Sequence, residues 1–141
     1  CDPTSLLVLD RRGWERALML GRRHGISGRW LPELSALGQL DRVPPAASKQ
    51  LRSDYLLAAE RTRSAQWETG RLRYALRDTG IEPILLKGAA YIAAGLRPGF
   101  CRMLTDVDFL VPFPALASVE EAVTAHGWRP TQQDHYDDRY Y

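Results

Sequence analysis

The chain has 141 residues, of which 19 are Lys or Arg and 17 are Asp or Glu, so its formal net charge is +2. This length suits one modest domain with a core of its own. An apolar fraction of 45% and a charged fraction of 26% exclude wholesale disorder. No apolar run reaches 18 residues, so no membrane partner is expected. Two cysteines without a secretory leader favour a cytoplasmic setting.

The near-neutral charge hides an asymmetry between the two halves. Residues 1–80 carry 14 basic and 9 acidic side chains, whereas residues 81–141 carry 5 basic and 8 acidic ones. Only two of the basic residues are lysines, which draws attention to Lys87. The overall charge is too small to indicate a nucleic-acid partner by itself.

The first half of the chain has helical periodicity. Apolar residues predict a helix over 14–24, which Gly25 ends, and a second short helix over 30–40. A Pro-Pro pair at 44–45 then breaks the chain, and Ser48 is the expected N-cap of the next helix.

The clearest periodic segment predicts one long helix over 51–76. Its apolar or small residues recur at alternating steps of four and three: Leu51, Tyr55, Ala58, Thr62, Ala65, Thr69, Leu72 and Leu76. Gly80 is the expected C-terminal glycine. Arginines lie mostly outside this stripe, either as a solvated face or as ligands of a triphosphate or nucleic acid.

After Gly80 the pattern changes to alternating strands and helices. We expect strands over 82–86, 106–111 and 127–130, with helices after Lys87 and over 114–126. The polar tail over 132–141 stays unassigned. The sequence therefore predicts an α+β chain, with a helical region over 1–80 and a small α/β core over 81–141.

Two acids on the second expected strand form the strongest chemical signal. Asp106 and Asp108 flank Val107, and side chains at positions i and i+2 of a strand share a face. Like charges side by side favour a divalent cation between them, and Mg²⁺ (or Mn²⁺) takes oxygen ligands. The plain alternative is a pair of acids that caps the strand or pairs with Arg102.

The turn at Lys87 and Gly88 follows the first expected strand. Glycine lets a ligand approach the backbone, and a helix N-terminus with a nearby lysine attracts anions. The alternative is an exposed lysine beside a glycine that serves only the turn. Arg102 is a third candidate, which either neutralises the carboxylates or binds a triphosphate.

These segments together resemble a known family. The stretch Leu85-Leu86-Lys87-Gly88-Ala89-Ala90, followed by Arg102, Asp106 and Asp108 in an Arg-x-x-x-Asp-x-Asp arrangement, is similar to the uncharacterised nucleotidyltransferase family of the polymerase-β-like superfamily. The specific part covers residues 84–111.

The resemblance implies a mixed β-sheet with helices packed on it and a site at the strand edge. It implies that Asp106 and Asp108 bind metal and act in catalysis, while Lys87, Gly88, Ala89 and Arg102 hold a nucleoside triphosphate. Ala89 stands where Ser or Gly is commoner. A third acid normally completes the site, and we expect it beyond Tyr141 rather than at Asp134, Asp137 or Asp138, so the core over 81–141 is expected to be incomplete.

The sequence thus favours transfer of a nucleoside monophosphate from an NTP to an acceptor hydroxyl. The acceptor stays open among protein, RNA and small molecules. The unplaced third acid supports an alternative, a catalytically incomplete nucleotide- or protein-binding module of the same fold. A sugar-nucleotide glycosyltransferase also uses Asp-x-Asp, but such folds place several β-α units before that motif.

Overall fold

A computed structural model describes residues 2–101 and 103–130 of the chain. Within them lie five α-helices and two short strands. They run in the order α1 (Arg11–Arg23), α2 (Trp30–Ala36), α3 (Pro45–Leu76), β1 (Ile84–Leu85), α4 (Lys87–Ala93), β2 (Phe109–Leu110) and α5 (Leu116–Ala125). Short 3-10 turns connect several of these elements. The described chain is mostly helical with a small sheet, in agreement with the α+β prediction.

Side-chain caps, glycine and proline set the ends of the helices in the first half. The Asp10 side chain accepts a hydrogen bond from the Gly13 N–H and so caps α1. Gly25, with a φ of +65°, follows the end of α1 as predicted. Helix α3 begins at Pro45 rather than after Ser48, because proline is well suited to the first helical position. The Ser48 cap was therefore a wrong prediction.

Helix α3 contributes buried residues to two apolar clusters. Its N-terminal part contributes Ala47 and Leu51 to a cluster completed by Trp14, Leu18, Leu34 and Val43. Its C-terminal part contributes Leu72 and Leu76 to a second cluster with Val119 of α5, against which Leu85 and Phe109 pack. The 4-3 stripe predicted from sequence is confirmed, since Leu51, Ala58, Ala65, Leu72 and Leu76 are all buried.

The sheet is shorter than the sequence predicted. β1 and β2 pair antiparallel, with Ile84 opposite Leu110 and Leu85 opposite Phe109, and the Leu86 N–H adds one bond to the Asp108 carbonyl. At Lys87 the backbone turns away with a φ of +48°, which ends the ladder. Asp106 and Asp108 therefore precede β2 instead of lying within it, and the described residues show this antiparallel pair rather than a mixed sheet.

The third expected strand, which was predicted to begin at 127–130, is not formed in these residues, and its continuation lies outside the described chain. Gly127 has a φ of +95°, and the Trp128 N–H donates to the Val123 carbonyl at 3.1 Å. Trp128 also stacks beneath the Arg71 guanidinium, 3.9 Å from the ring centroid. These contacts fold the segment back over the C-terminus of α5, so its backbone closes a helix end rather than pairing with a strand.

Candidate active site

The candidate site lies where β1 turns into α4 and where the chain enters β2. Lys87 is the first residue of α4, and its Nζ lies 3.1 Å from Oδ1 of Asp108. The bond from the Leu86 N–H to the Asp108 carbonyl places the neighbouring Lys87 close to Asp108. Two residues predicted from different motifs are thus in direct contact.

The backbone of Lys87 has an uncommon conformation. Its φ of +48° lies in the left-handed region, where a residue with a Cβ is strained by about 1–2 kcal/mol. Such strain is often found at ligand-binding positions, and an observed outlier supports a functional hypothesis there. The lysine side chain is 71% exposed and the Asp108 side chain 32% exposed, so both atoms of the pair can reach solvent.

Gly88 has a packing role that the sequence did not reveal. A Cβ built at this position would lie 2.0 Å from Cδ2 of Leu104, so any larger residue would displace the Leu104 side chain from the start of α4. Gly88 and Ala89 are both buried, which leaves their backbone amides rather than side chains for any ligand. These amides belong to the first turn, ahead of the Ala90 N–H bond to the Leu86 carbonyl.

Asp106 is exposed and lies two residues before Asp108. The Thr105 hydroxyl contacts its Oδ1 at 3.3 Å. The two carboxylates supply oxygen ligands of the kind that Mg²⁺ and Mn²⁺ accept. Within residues 2–101 and 103–130, no group of three or more His, Cys, Asp or Glu side chains is placed to hold a metal ion. Asp106 and Asp108 therefore stay the two candidate metal ligands among the described residues.

Cys101 and Met103, which precede the two acids, pack against the first half of the chain. The Met103 N–H donates to the Gly25 carbonyl at 3.3 Å, and Cys101 is buried with a φ of +49°. A Cβ on Gly28 would approach the Cys101 carbonyl oxygen to 3.1 Å. Burial raises the pKa of the Cys101 thiol, against the opposing effect of Arg29. Arg102, the third predicted ligand, lies outside the described residues, as do Asp134, Asp137 and Asp138.

A pocket of about 360 Å³ adjoins Asp106 on the side of α3. Sequence reasoning missed it, although one signal was present. Arg61, Ser64 and Glu68 are three and four residues apart, so they share one face of the long helix, and all three line the pocket. Trp128 lines it as well and comes from the segment that had been predicted as a strand.

No helix in the described ranges is both long and apolar enough to cross a membrane.

Comparisons with known proteins place the chain in a family. No curated protein and no solved structure matched the chain. A family model described as "Uncharacterised nucleotidyltransferase" matches residues 10–141. Because this match covers well over half of the sequence, including both acids and Lys87, the chain belongs to that nucleotidyltransferase family.

Proposed function

We propose that this chain binds a nucleoside triphosphate and a divalent metal, and that it serves transfer of the nucleoside monophosphate to an acceptor hydroxyl. The contact between Lys87 Nζ and Asp108 Oδ1 is the observation that carries the proposal. It brings a cation suited to phosphate oxygens to within 3.1 Å of a carboxylate suited to metal. Membership of a nucleotidyltransferase family supports the same reaction class.

The charges of the site fit this assignment. Asp106 and Asp108 would hold Mg²⁺ or Mn²⁺, which would neutralise charge on the phosphates and polarise the reacting phosphoryl group. A triphosphate bound beside these acids would offer oxygens that the Lys87 ammonium group can bind. The amides of Gly88 and Ala89 add donors in the first turn of α4, and Arg102 is a further phosphate ligand in this proposal.

The proposed reaction is a displacement at the α-phosphorus. A bond forms between the acceptor oxygen and the α-phosphorus, while the bond from that phosphorus to the bridging oxygen of the β-phosphate breaks. Pyrophosphate leaves with the electron pair, and the acceptor proton passes to a carboxylate or to water. Catalysis of this kind depends on positioning and on charge stabilisation, which the residues described above are suited to supply.

Isothermal titration calorimetry with ATP in the presence of Mg²⁺ or Mn²⁺ tests the proposal. Replacing Asp106 and Asp108 by Asn should weaken metal-dependent nucleotide binding about 10- to 100-fold, as expected for loss of charge-assisted contacts. Asp41→Asn, an exposed acid of the first half, is the matched control. Equal affinity in all variants would contradict the assignment.

The second candidate is a module of the same fold that binds nucleotide without transferring it. One observation favours it: within the described residues, Asp106 and Asp108 do not belong to a cluster of three or more side chains that could hold a metal ion. Incubation with Mg²⁺ and NTPs labelled at the α-phosphate distinguishes the two functions. Label transferred to an acceptor supports the enzyme, whereas tight binding without transfer supports the module.

A further inference from the structure

The pocket beside Asp106 has the size and the lining of a small-molecule site. Its volume of about 360 Å³ falls within the range of about 300–1,000 Å³ that is usual for such sites. Its walls are mostly apolar and come from four parts of the chain. They include Ala65 and Leu72 of α3, Val107 and Phe109 around β2, Val123 of α5, and Trp128.

Contacts with Arg71 hold the Trp128 side of this pocket in place. The Arg71 guanidinium lies 3.9 Å from the ring centroid of Trp128 and 4.8 Å from that of Trp67. The same guanidinium donates a hydrogen bond to the His126 carbonyl at 2.9 Å. Cation–π contacts and a backbone hydrogen bond together fix the indole, so the pocket has a preformed planar wall.

The polar groups of the pocket are concentrated on two sides. Arg61, Ser64 and Glu68 come from α3, while Thr105 and Asp106 come from the segment before β2. Glu68 is 3.4 Å from Arg71 Nη1, a distance beyond that of a good charged hydrogen bond, so its carboxylate keeps acceptor capacity. A hydroxyl that enters the pocket therefore finds acceptors near Asp106.

The position of the pocket relative to Lys87 separates it from the proposed triphosphate site. Asp106 lines the pocket, whereas the described lining includes neither Lys87 nor Asp108, which contact each other. In phosphoryl transfer the attacking and leaving oxygens lie roughly in line on opposite sides of phosphorus. If Lys87 holds the leaving phosphates, the acceptor must approach from the other side, and the pocket opens beside the other acid.

We propose that this pocket binds the acceptor and that the acceptor is a small molecule with an apolar ring and a hydroxyl. The ring packs on the fixed indole of Trp128 and on the aliphatic walls, and the hydroxyl points toward Asp106. This inference rests on the proposed function, because a donor held at Lys87 leaves the pocket beside Asp106 for the acceptor.

Methyl-detected NMR with benzyl alcohol as the probe tests the pocket in the full chain. We expect saturable shifts of the methyl groups of Leu72, Val107 and Val123, with a dissociation constant of about 0.1–5 mM for so small a ligand. Methanol, which has the hydroxyl without the ring, should give no saturable shifts at these methyl groups. Absent shifts, or shifts that map elsewhere on the surface, would overturn the proposal in favour of an RNA or protein acceptor.

A bulky side chain at the pocket mouth gives the second arm of the test. Ser64 is exposed and lines the pocket, so Ser64→Trp should fill its mouth and weaken benzyl alcohol binding at least about tenfold, as loss of about 1.4 kcal/mol does. Ser53→Trp is the matched control, because Ser53 is exposed on the same helix about 16 Å away. Equal weakening in both variants, or in neither, would refute the assignment. Thermal melts establish that both variants fold.

Nucleotide affinity measured on the same variants separates the two proposals. Ser64→Trp should leave the ATP affinity in Mg²⁺ within about twofold of the unmodified protein, because Ser64 is not among the residues proposed to hold the metal or the triphosphate. A matching loss of ATP affinity would mean that the pocket holds the nucleobase, which overturns the acceptor assignment alone. If the unmodified protein fails to bind any of the four NTPs, the proposed function fails first, and the acceptor role fails with it.

Discussion

Lys87 offers a direct test of whether its backbone is strained. Both Lys87→Gly and Lys87→Ala remove the ammonium group and its 3.1 Å contact with Asp108. They differ in the backbone, because glycine adopts a φ of +48° without strain and alanine does not. The difference in stability between the two variants therefore reports the cost of the left-handed conformation, less about 0.4–1 kcal/mol for the greater freedom of glycine in the unfolded chain.

The magnitude follows from two contributions. Loss of a largely exposed ion pair costs each variant about 0.2–1 kcal/mol. Glycine then recovers about 1–2 kcal/mol of backbone strain that alanine keeps. For a chain of 141 residues, 1 kcal/mol corresponds to about 3 °C in melting temperature. Since the greater freedom of glycine in the unfolded chain offsets about 0.4–1 kcal/mol of this gain, we expect Lys87→Gly to melt about 2–3 °C above Lys87→Ala and close to the unmodified protein.

Urea denaturation and thermal melts followed by circular dichroism measure this difference. Calorimetry with ATP and Mg²⁺ on the same variants should show weaker nucleotide binding in both, since both lack the ammonium group. If the alanine variant is more stable than the glycine variant by about 0.4–1 kcal/mol, the left-handed backbone carries no strain. A glycine variant that binds ATP as tightly as the unmodified protein would remove Lys87 from the proposed phosphate site.

Three further predictions concern packing and reactivity. Gly88→Ala should lower the free energy of unfolding by about 1–3 kcal/mol because its Cβ meets Leu104, and adding Leu104→Ala should recover part of the loss in a double-mutant cycle by urea denaturation. Arg71→Lys should destabilise the chain by about 1 kcal/mol and alter the fluorescence of Trp128, whereas an unchanged spectrum would mean that the stacking does not persist in solution. In a Cys1→Ser background, burial and a raised pKa should keep Cys101 protonated and slow toward a disulfide reagent at pH 8, and reaction as fast as in the urea-unfolded chain would contradict its burial.

The helical half could be predicted from sequence because its signals are local and repeated. The stripe from Leu51 to Leu76 needs only helical spacing to identify the buried face of α3. Gly25 likewise marks a helix end because glycine is the residue that the left-handed position favours. The error at Ser48 arose where two acceptable helix starts compete, and Pro45 prevailed.

The sequence indicates candidate site residues but not how they are arranged. The turn after β1 and the acids before β2 were identified, yet the short ladder was not, because pairing depends on the partner strand. Nothing local marks Lys87 as left-handed, since lysine rarely adopts that conformation. Trp128 was assigned to a strand because its preference for Arg71 comes from tertiary packing that no short-range pattern encodes.

Helix α3 also decides how this chain can be divided or recombined. Its 32 residues extend about 48 Å and contribute to both apolar clusters. A fragment that begins after α3 would lose Leu72 and Leu76, and with them the surface on which Val119 and Phe109 rest. The acidic half therefore cannot be exchanged between proteins as a separate module, and recombination that preserves the fold must carry the long helix along with the acids.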